Sequence, residues 1–199
     1  LFARADLSPG ARQQLVVKLS AALTTFVTEK SWLPADRAGR IAREASEKAA
    51  VVIAARCDGG ELSPLVRHLR LSGQLTAGLI LRSLLSGHLA LFQEALAELS
   101  GLGLRRACGL IHDRRGAGFR VLYDKAGLPA SAHPAFRAAL EAWHEEGGPG
   151  SRRDARLSRR MVERVLTAYA PQAGSDLDQL LALLRRFVAE AARDEARAF

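Results

Sequence analysis

Apolar residues recur along this chain at three- and four-residue steps, and no stretch shows the strict alternation of a half-buried strand. Leu15, Leu19, Leu23, Phe26 and Val27 form the first such stripe. It follows Ser8-Pro9, a cap residue with proline at the first helical position, and predicts a helix to about Lys30. Trp32-Leu33-Pro34 breaks the chain. A second helix from Pro34 to about Cys57 carries Ile41, Ala45, Ala49, Val52 and Ile53 on one side, with Arg37, Arg40, Glu44 and Glu47 largely on the other. The two are expected to form a hairpin that closes one end of a helical array.

The strongest internal signal is a repeat. Leu71-Ser72-Gly73 recurs as Leu85-Ser86-Gly87 and as Leu99-Ser100-Gly101, each step being 14 residues, and one step back lands on Gly59. Fourteen residues suit a helix of about ten residues and a tight turn. Glycine is the expected residue just past a helix C-terminus, where it takes the left-handed conformation without a Cβ penalty. Between the glycines the apolar spacing is helical: Leu62, Leu65, Val66, Leu69; then Leu75, Leu79, Ile80, Leu84; then Leu89, Phe92, Leu96, Leu99. Short amphipathic helices on minimal turns bury their apolar faces against their neighbours, which is the grammar of HEAT-like arrays.

Further along, Leu104 to His112 reads as helix, Arg114 to Gly118 as loop, Phe119 to Ala126 as a short helix stopped by Gly127-Leu128-Pro129, and Pro134 opens a helix through Phe136, Leu140 and Trp143. Gly147 to Ser151 is the clearest linker, since three glycines and a proline do not continue a helix. Two helices follow, roughly Arg152 to Tyr169 and Ser175 to Arg197, the second opening on a capping-box-like Ser175 and Asp178. The expected architecture is all-α with about ten helices: a HEAT-like array of short antiparallel helices over 1–146, a linker at 147–151, and a C-terminal helix hairpin over 152–199.

Several blocks carry a family likeness. Leu75 to Leu84, Gly87-His88-Leu89, Phe92 to Ala97, Ile111-His112-Asp113, Gly118 to Tyr123, Ala126 to Pro129 and Pro134 to Arg137 together resemble alphaproteobacterial proteins catalogued as a domain of unknown function and regarded as helical and HEAT-like. The resemblance implies a helical-repeat architecture. It implies no reaction, cofactor or partner.

Charge adds location rather than class. Of 29 basic residues 25 are Arg, against 21 acidic ones, and the net +8 resides in residues 103–125 and 151–165. Clustered charge of this sort attracts phosphate-bearing or acidic partners, though a solvated helix face is its commoner meaning. On a helix after the linker, Arg152, Arg153, Arg156, Arg159, Arg160 and Arg164 fall within an arc of about 140°, with Leu157, Met161, Val162, Val165, Leu166 and Tyr169 opposite. With Arg105, Arg106, Arg114 and Arg115 these form the candidate surface for an anionic partner.

Chemical motifs are sparse. The only two cysteines, Cys57 and Cys108, have no metal or redox spacing, and a reducing cytoplasm is the natural setting. No apolar run reaches the roughly 20 residues of a membrane span, and Leu1 to Asp6 lack the order of a signal peptide. The opening Leu1, in place of Met, points to residues upstream. His112-Asp113 at a helix end has the order a phosphorelay protein uses, yet a histidine there also caps carbonyls and meets the negative end of the dipole. His68, His88, His133 and His144 lie on different helices without an i, i+4 partner, so no metal site or cofactor is expected.

These features point first to a non-enzymatic protein-interaction or scaffold module with a regulatory role. A nucleic-acid-binding helical-repeat protein using the Arg-rich faces is the second reading, and a phosphorelay or enzyme component centred on His112 the third. The stripe Leu177, Leu180, Leu181, Leu184, Phe187 and Val188 on the last helix, matched by Leu157, Met161, Val165 and Tyr169, leads to an expected homodimer through 152–199.

Overall fold

A computed structural model of the chain describes residues 7–58, 60–113, 116–145, 161–167 and 189. Among the described residues every regular element is helical: α1 (Pro9–Glu29), α2 (Ala35–Ala54), α3 (Leu62–Leu71), α4 (Ala77–Leu85), α5 (Leu89–Ser100), α6 (Leu104–Ile111), α7 (Ala117–Lys125), a 3-10 turn (Ala130–Ala132) and α8 (His133–Glu145). Residues 161–167 are also helical. The expected linker at 147–151 and most of the expected C-terminal hairpin lie outside the described residues. The chain divides into two compact units, Leu1–Arg82 and Ser83–Phe199.

In the first unit, Ser8 Oγ accepts the Ala11 amide at 3.3 Å and Pro9 occupies the first turn of α1, the arrangement that satisfies amides left free at a helix start. After a short turn α2 packs back along α1. Gly10 lets α3 approach: a Cβ there would stand 3.3 Å from the His68 ring. At the start of α4, Thr76 Oγ1 accepts the Leu79 amide at 3.0 Å and donates to Glu47 Oε1 at 2.8 Å. The Glu47 carboxylate thus lies at the positive end of the α4 dipole, where Gly78 leaves room for it. Ala50 and Val51 of α2, Leu65, Val66 and Leu69 of α3 and Leu79 and Ile80 of α4 are buried in this unit.

The second unit is built around aromatic rings. Phe92 of α5 lies 6.2 Å from Phe136 of α8 and 6.4 Å from Phe119 of α7, and Tyr123 meets Phe136 edge-on at 5.4 Å. All four are buried. Tyr123 Oη donates to the Pro129 carbonyl at 2.7 Å, which pins the Gly-Leu-Pro turn to the helix before it. A buried tyrosine needs such a partner for its hydroxyl. The block from Gly118 to Phe136, which reads as a family signature, is therefore the packing centre of this unit. Three boundaries move from their expected places: α2 ends at Ala54 rather than near Cys57, α7 begins at Ala117 rather than Phe119, and a 3-10 turn precedes α8.

The 14-residue glycines stop helices as their spacing requires. Gly73, Gly87 and Gly101 have φ of 69, 71 and 67°. At the first, the Gln74 amide bonds the Leu69 carbonyl and the Gly73 amide the Arg70 carbonyl; at the second, His88 bonds Ser83 and Gly87 bonds Leu84. Both are Schellman turns, in which two amides past the helix satisfy carbonyls of its last turn. The same pattern ends α1, where Trp32 bonds Val27 and Ser31 bonds Thr28, but a serine holds the left-handed position at φ 57°.

Gly101 has open space where a Cβ would go, so its substitution strains only the backbone. Gly101→Ala is expected to cost about 1 kcal/mol, whereas Gly109→Ala, inside α6 and equally unobstructed, should add about 0.5–1 kcal/mol. Opposite shifts of the urea midpoint check the pair. Ser31→Gly should stabilise by up to about 1 kcal/mol, read the same way, because it removes the left-handed serine.

Candidate interaction surface

His112 and Asp113 divide a structural task between two helices. His112 is exposed at the C-terminus of α6, where its amide bonds the Cys108 carbonyl. Asp113 Oδ2 accepts the Gly118 amide at 3.3 Å and so caps α7. A Cβ on Gly118 would stand 3.1 Å from that oxygen, which is why the residue is glycine. The His112 ring lies 5.4 Å from Trp143, and its Nε2 is 3.2 Å from Gln93 Nε2. His144 also approaches, at 6.2 Å between ring centres. Their meeting has no sequence signal, since α6 and α8 bring together positions 32 apart. Among the described residues no group of three His, Cys, Asp or Glu side chains is arranged to hold a metal ion.

The arginines separate into two kinds. Arg105 and Arg106 are exposed on the first turn of α6. Arg164 instead forms a two-pronged ion pair with Glu145 at the end of α8, and that carboxylate raises its pKa further through the hydrogen bond and its charge. Arg40 pairs with Asp36, Arg120 with Asp124 and Arg137 with Glu141, each across one helical turn. Arg114, Arg115, Arg152, Arg153, Arg156, Arg159 and Arg160 lie outside the described residues. Beside Arg164, Met161, Val162 and Val165 are buried, so these apolar residues of the described segment 161–167 are already covered.

Both cysteines are half-buried free thiols. Burial, aided by Glu61 at Cys57 and by Glu94 at Cys108, pushes both thiols up, away from the thiolate a nucleophile needs.

The first unit holds a cavity of about 250 Å³ between α1, α2 and the α3–α4 turn. Gln13, 1% exposed, reaches across it: its Nε2 donates to the Ser46 carbonyl at 3.2 Å and to Gln74 Oε1 at 2.8 Å. Gln13, Val17 and Ser20 of α1 and Arg43, Ser46, Glu47 and Ala50 of α2 line this cavity. At 100° per residue, Leu15, Leu19, Ala22 and Phe26 point the opposite way on α1, with Leu23 at the edge of their arc, and Ile41, Ala45 and Val52 do so on α2. The two stripes share the outward face of the hairpin. Leu19, Leu23, Phe26, Trp32, Ile41 and Val52 are 43 to 67% exposed there, and Phe26 meets Trp32 edge-on at 5.5 Å. Leu71, Leu104 and Val121, also exposed, lie on three different helices, α3, α6 and α7. Single apolar side chains are ordinary on a surface, whereas a contiguous apolar face marks a place where something binds.

Residues 1–173 match the profile of a family described as an uncharacterised protein conserved in bacteria (DUF2336). This chain is a member of that family. The DUF2336 match includes both the hairpin with its outward face and the aromatic block of the second unit. No curated protein and no solved structure matches the chain. No helix among the described residues is long and apolar enough to cross a membrane.

In the aromatic block, His133 is buried, stacked on Phe119 at 5.8 Å and edge-on to Tyr123 at 4.9 Å. Burial, reinforced by the Arg120 charge, lowers its pKa below the ordinary histidine value. The unfolded chain therefore takes up this proton at higher pH than the folded one. The stability it contributes is complete above about pH 6.5 and is lost as pH falls through the lower folded value. Urea midpoints measured from pH 7.5 to 5 should fall, and His133→Asn should flatten that fall; parallel profiles would assign the loss to other groups.

Proposed function

We propose that this chain is a non-enzymatic protein-interaction module of the cytoplasm, with a scaffold or regulatory role, and that its binding surface is the outward face of the α1–α2 hairpin. One observation carries the reading: six large apolar side chains, all about half exposed or more, lie on one hairpin of the first unit. The succession of short helices stopped at a fixed spacing supports a HEAT-like architecture, in which surface rather than a pocket does the binding.

The rival readings have less support. For nucleic acid, the exposed Arg105 and Arg106 speak in favour, while the engagement of Arg164 with Glu145 withdraws the one described cation of the C-terminal basic face. For phosphorelay chemistry, the exposure of His112 speaks in favour, while Asp113, its expected helper, is spent on capping α7.

The double substitution Leu19→Glu and Leu23→Glu tests the proposal. Because both side chains are half exposed, the far-ultraviolet spectrum and melting temperature should change little. Proteins captured from source cytoplasm by the wild-type chain should be lost by at least tenfold, corresponding to about 1.4 kcal/mol or more. A folded variant that captures the same partners with equal affinity removes this face from the function.

A further inference from the structure

We propose that the outward face of the α1–α2 hairpin is covered by the same face of a second copy of this chain, making a four-helix bundle about a twofold axis. The inference rests on the proposed interaction role and names its partner. Three features of the face select a second copy.

The first is size. The exposed parts of the six apolar side chains amount to roughly 600 to 700 Å² per chain, and a standard interface needs about 800 Å² per partner. The neighbouring Leu15, Ala22 and Ala45 bring the face to that scale. The second is spacing. Leu15, Leu19, Ala22 and Phe26 step by four, three and four residues, the alternation that seats knobs into holes between helices crossing at a shallow angle. The face of α2 adds Ile41, Ala45 and Val52, with Lys48 at the step between the last two; a hairpin with apolar residues on both helices finds its complement in another hairpin of the same kind, and a twofold axis closes the assembly.

The third feature is charge. Lys18 borders the stripe of α1 and Lys48 stands in that of α2, while Glu29, Lys30, Asp36 and Arg37 are neighbours of Trp32 in sequence, Asp36 being paired with Arg40. A rim of mixed sign pairs with itself across a twofold axis. An anionic membrane would call for cations around the tryptophan without the acidic Glu29 and Asp36 among them, and an acidic partner for a rim of one sign. The segment that sequence alone marks for dimerisation is a weaker candidate, because Met161, Val162 and Val165 in its described part are buried within one chain. The Phe26–Trp32 contact is formed in the single chain, so fewer rotamers remain to be fixed on association.

Multi-angle light scattering on the full chain at about 10 to 100 μM, a range that registers micromolar dissociation constants, should give twice the chain mass. Leu19→Glu with Leu23→Glu should give a monomer with unchanged helical content, and Leu23→Lys alone supplies the same readout if the double variant loses helix. Leu180→Glu with Leu184→Glu in the full chain should remain a dimer. A monomeric wild-type chain overturns the proposal, and if the hairpin variant then loses a different captured protein, the interaction reading survives it. A wild-type dimer that persists in the folded hairpin variants also overturns it and places the interface elsewhere.

Discussion

The first unit depends on how closely α1 and α2 approach. Where the hairpin turns away from its outward side lie small, half-buried residues, Ser20 and Thr24 on α1 and Ala42, Ser46 and Ala49 on α2, several of which also line the cavity. Thr24 turns its hydroxyl onto the Ser20 carbonyl of its own helix at 2.8 Å, so the seam buries no unpaired hydroxyl there. Gln13 ties α1 to the backbone of α2 at Ser46 and to Gln74 before α4. Side chains of this size let two helix backbones come near one another, and they leave no room for leucine or phenylalanine between them. The large apolar residues of α1 are consequently turned outward, and of its 21 residues only Pro9 and Gln13 are fully buried. An ordinary amphipathic helix hides its apolar stripe. This one is displayed, because the seam is occupied.

Helix termination supplies the second constraint. A Schellman turn reverses the chain within three residues and satisfies carbonyls that water would otherwise have to reach. Used at Gly73 and again at Gly87, it allows helices of nine or ten residues, α3 and α4, that have little stability alone. They persist because each buries several large side chains, Leu65 and Leu69 on α3 and Leu79, Ile80 and Leu84 on α4 among them. Stop signal and apolar spacing share one period for this reason: a turn placed a residue early would swing the stripe by about 100° off its neighbour.

That shared period is why so much of the fold could be read without coordinates. Proline and glycine mark helix ends by their own backbone limits, so Ser8-Pro9, Gly73, Gly87 and Gly101 declare boundaries whatever surrounds them. Periodicity also reports which residues share a face. It does not report what lies opposite that face, and the stripe of α1 looks the same in sequence whether it is covered or bare. The role of Asp113 was hidden for a related reason: capping an amide five residues on depends on the turn between. The Arg164–Glu145 pair and the approach of His112 to His144 arise only when α8 is set beside its neighbours. Local rules carry elements; contacts between elements require the packed chain.

Among the described residues the titratable groups favour the proposed reading of a binding surface over that of a chemical centre. Burial lowers the pKa of His133 and favours its neutral form among aromatic rings, and burial raises both thiols. Asp113 is bonded to the amide of Gly118, Glu47 to the hydroxyl of Thr76, and Arg164 to Glu145. For Asp113, Glu47 and Arg164 these bonds amount to a structural task within the fold. An exposed leucine on the hairpin carries no such task. Its exposure weakens the isolated chain by forgoing apolar burial worth about 25 cal/mol per Å², and the loss is recovered only when another surface covers it.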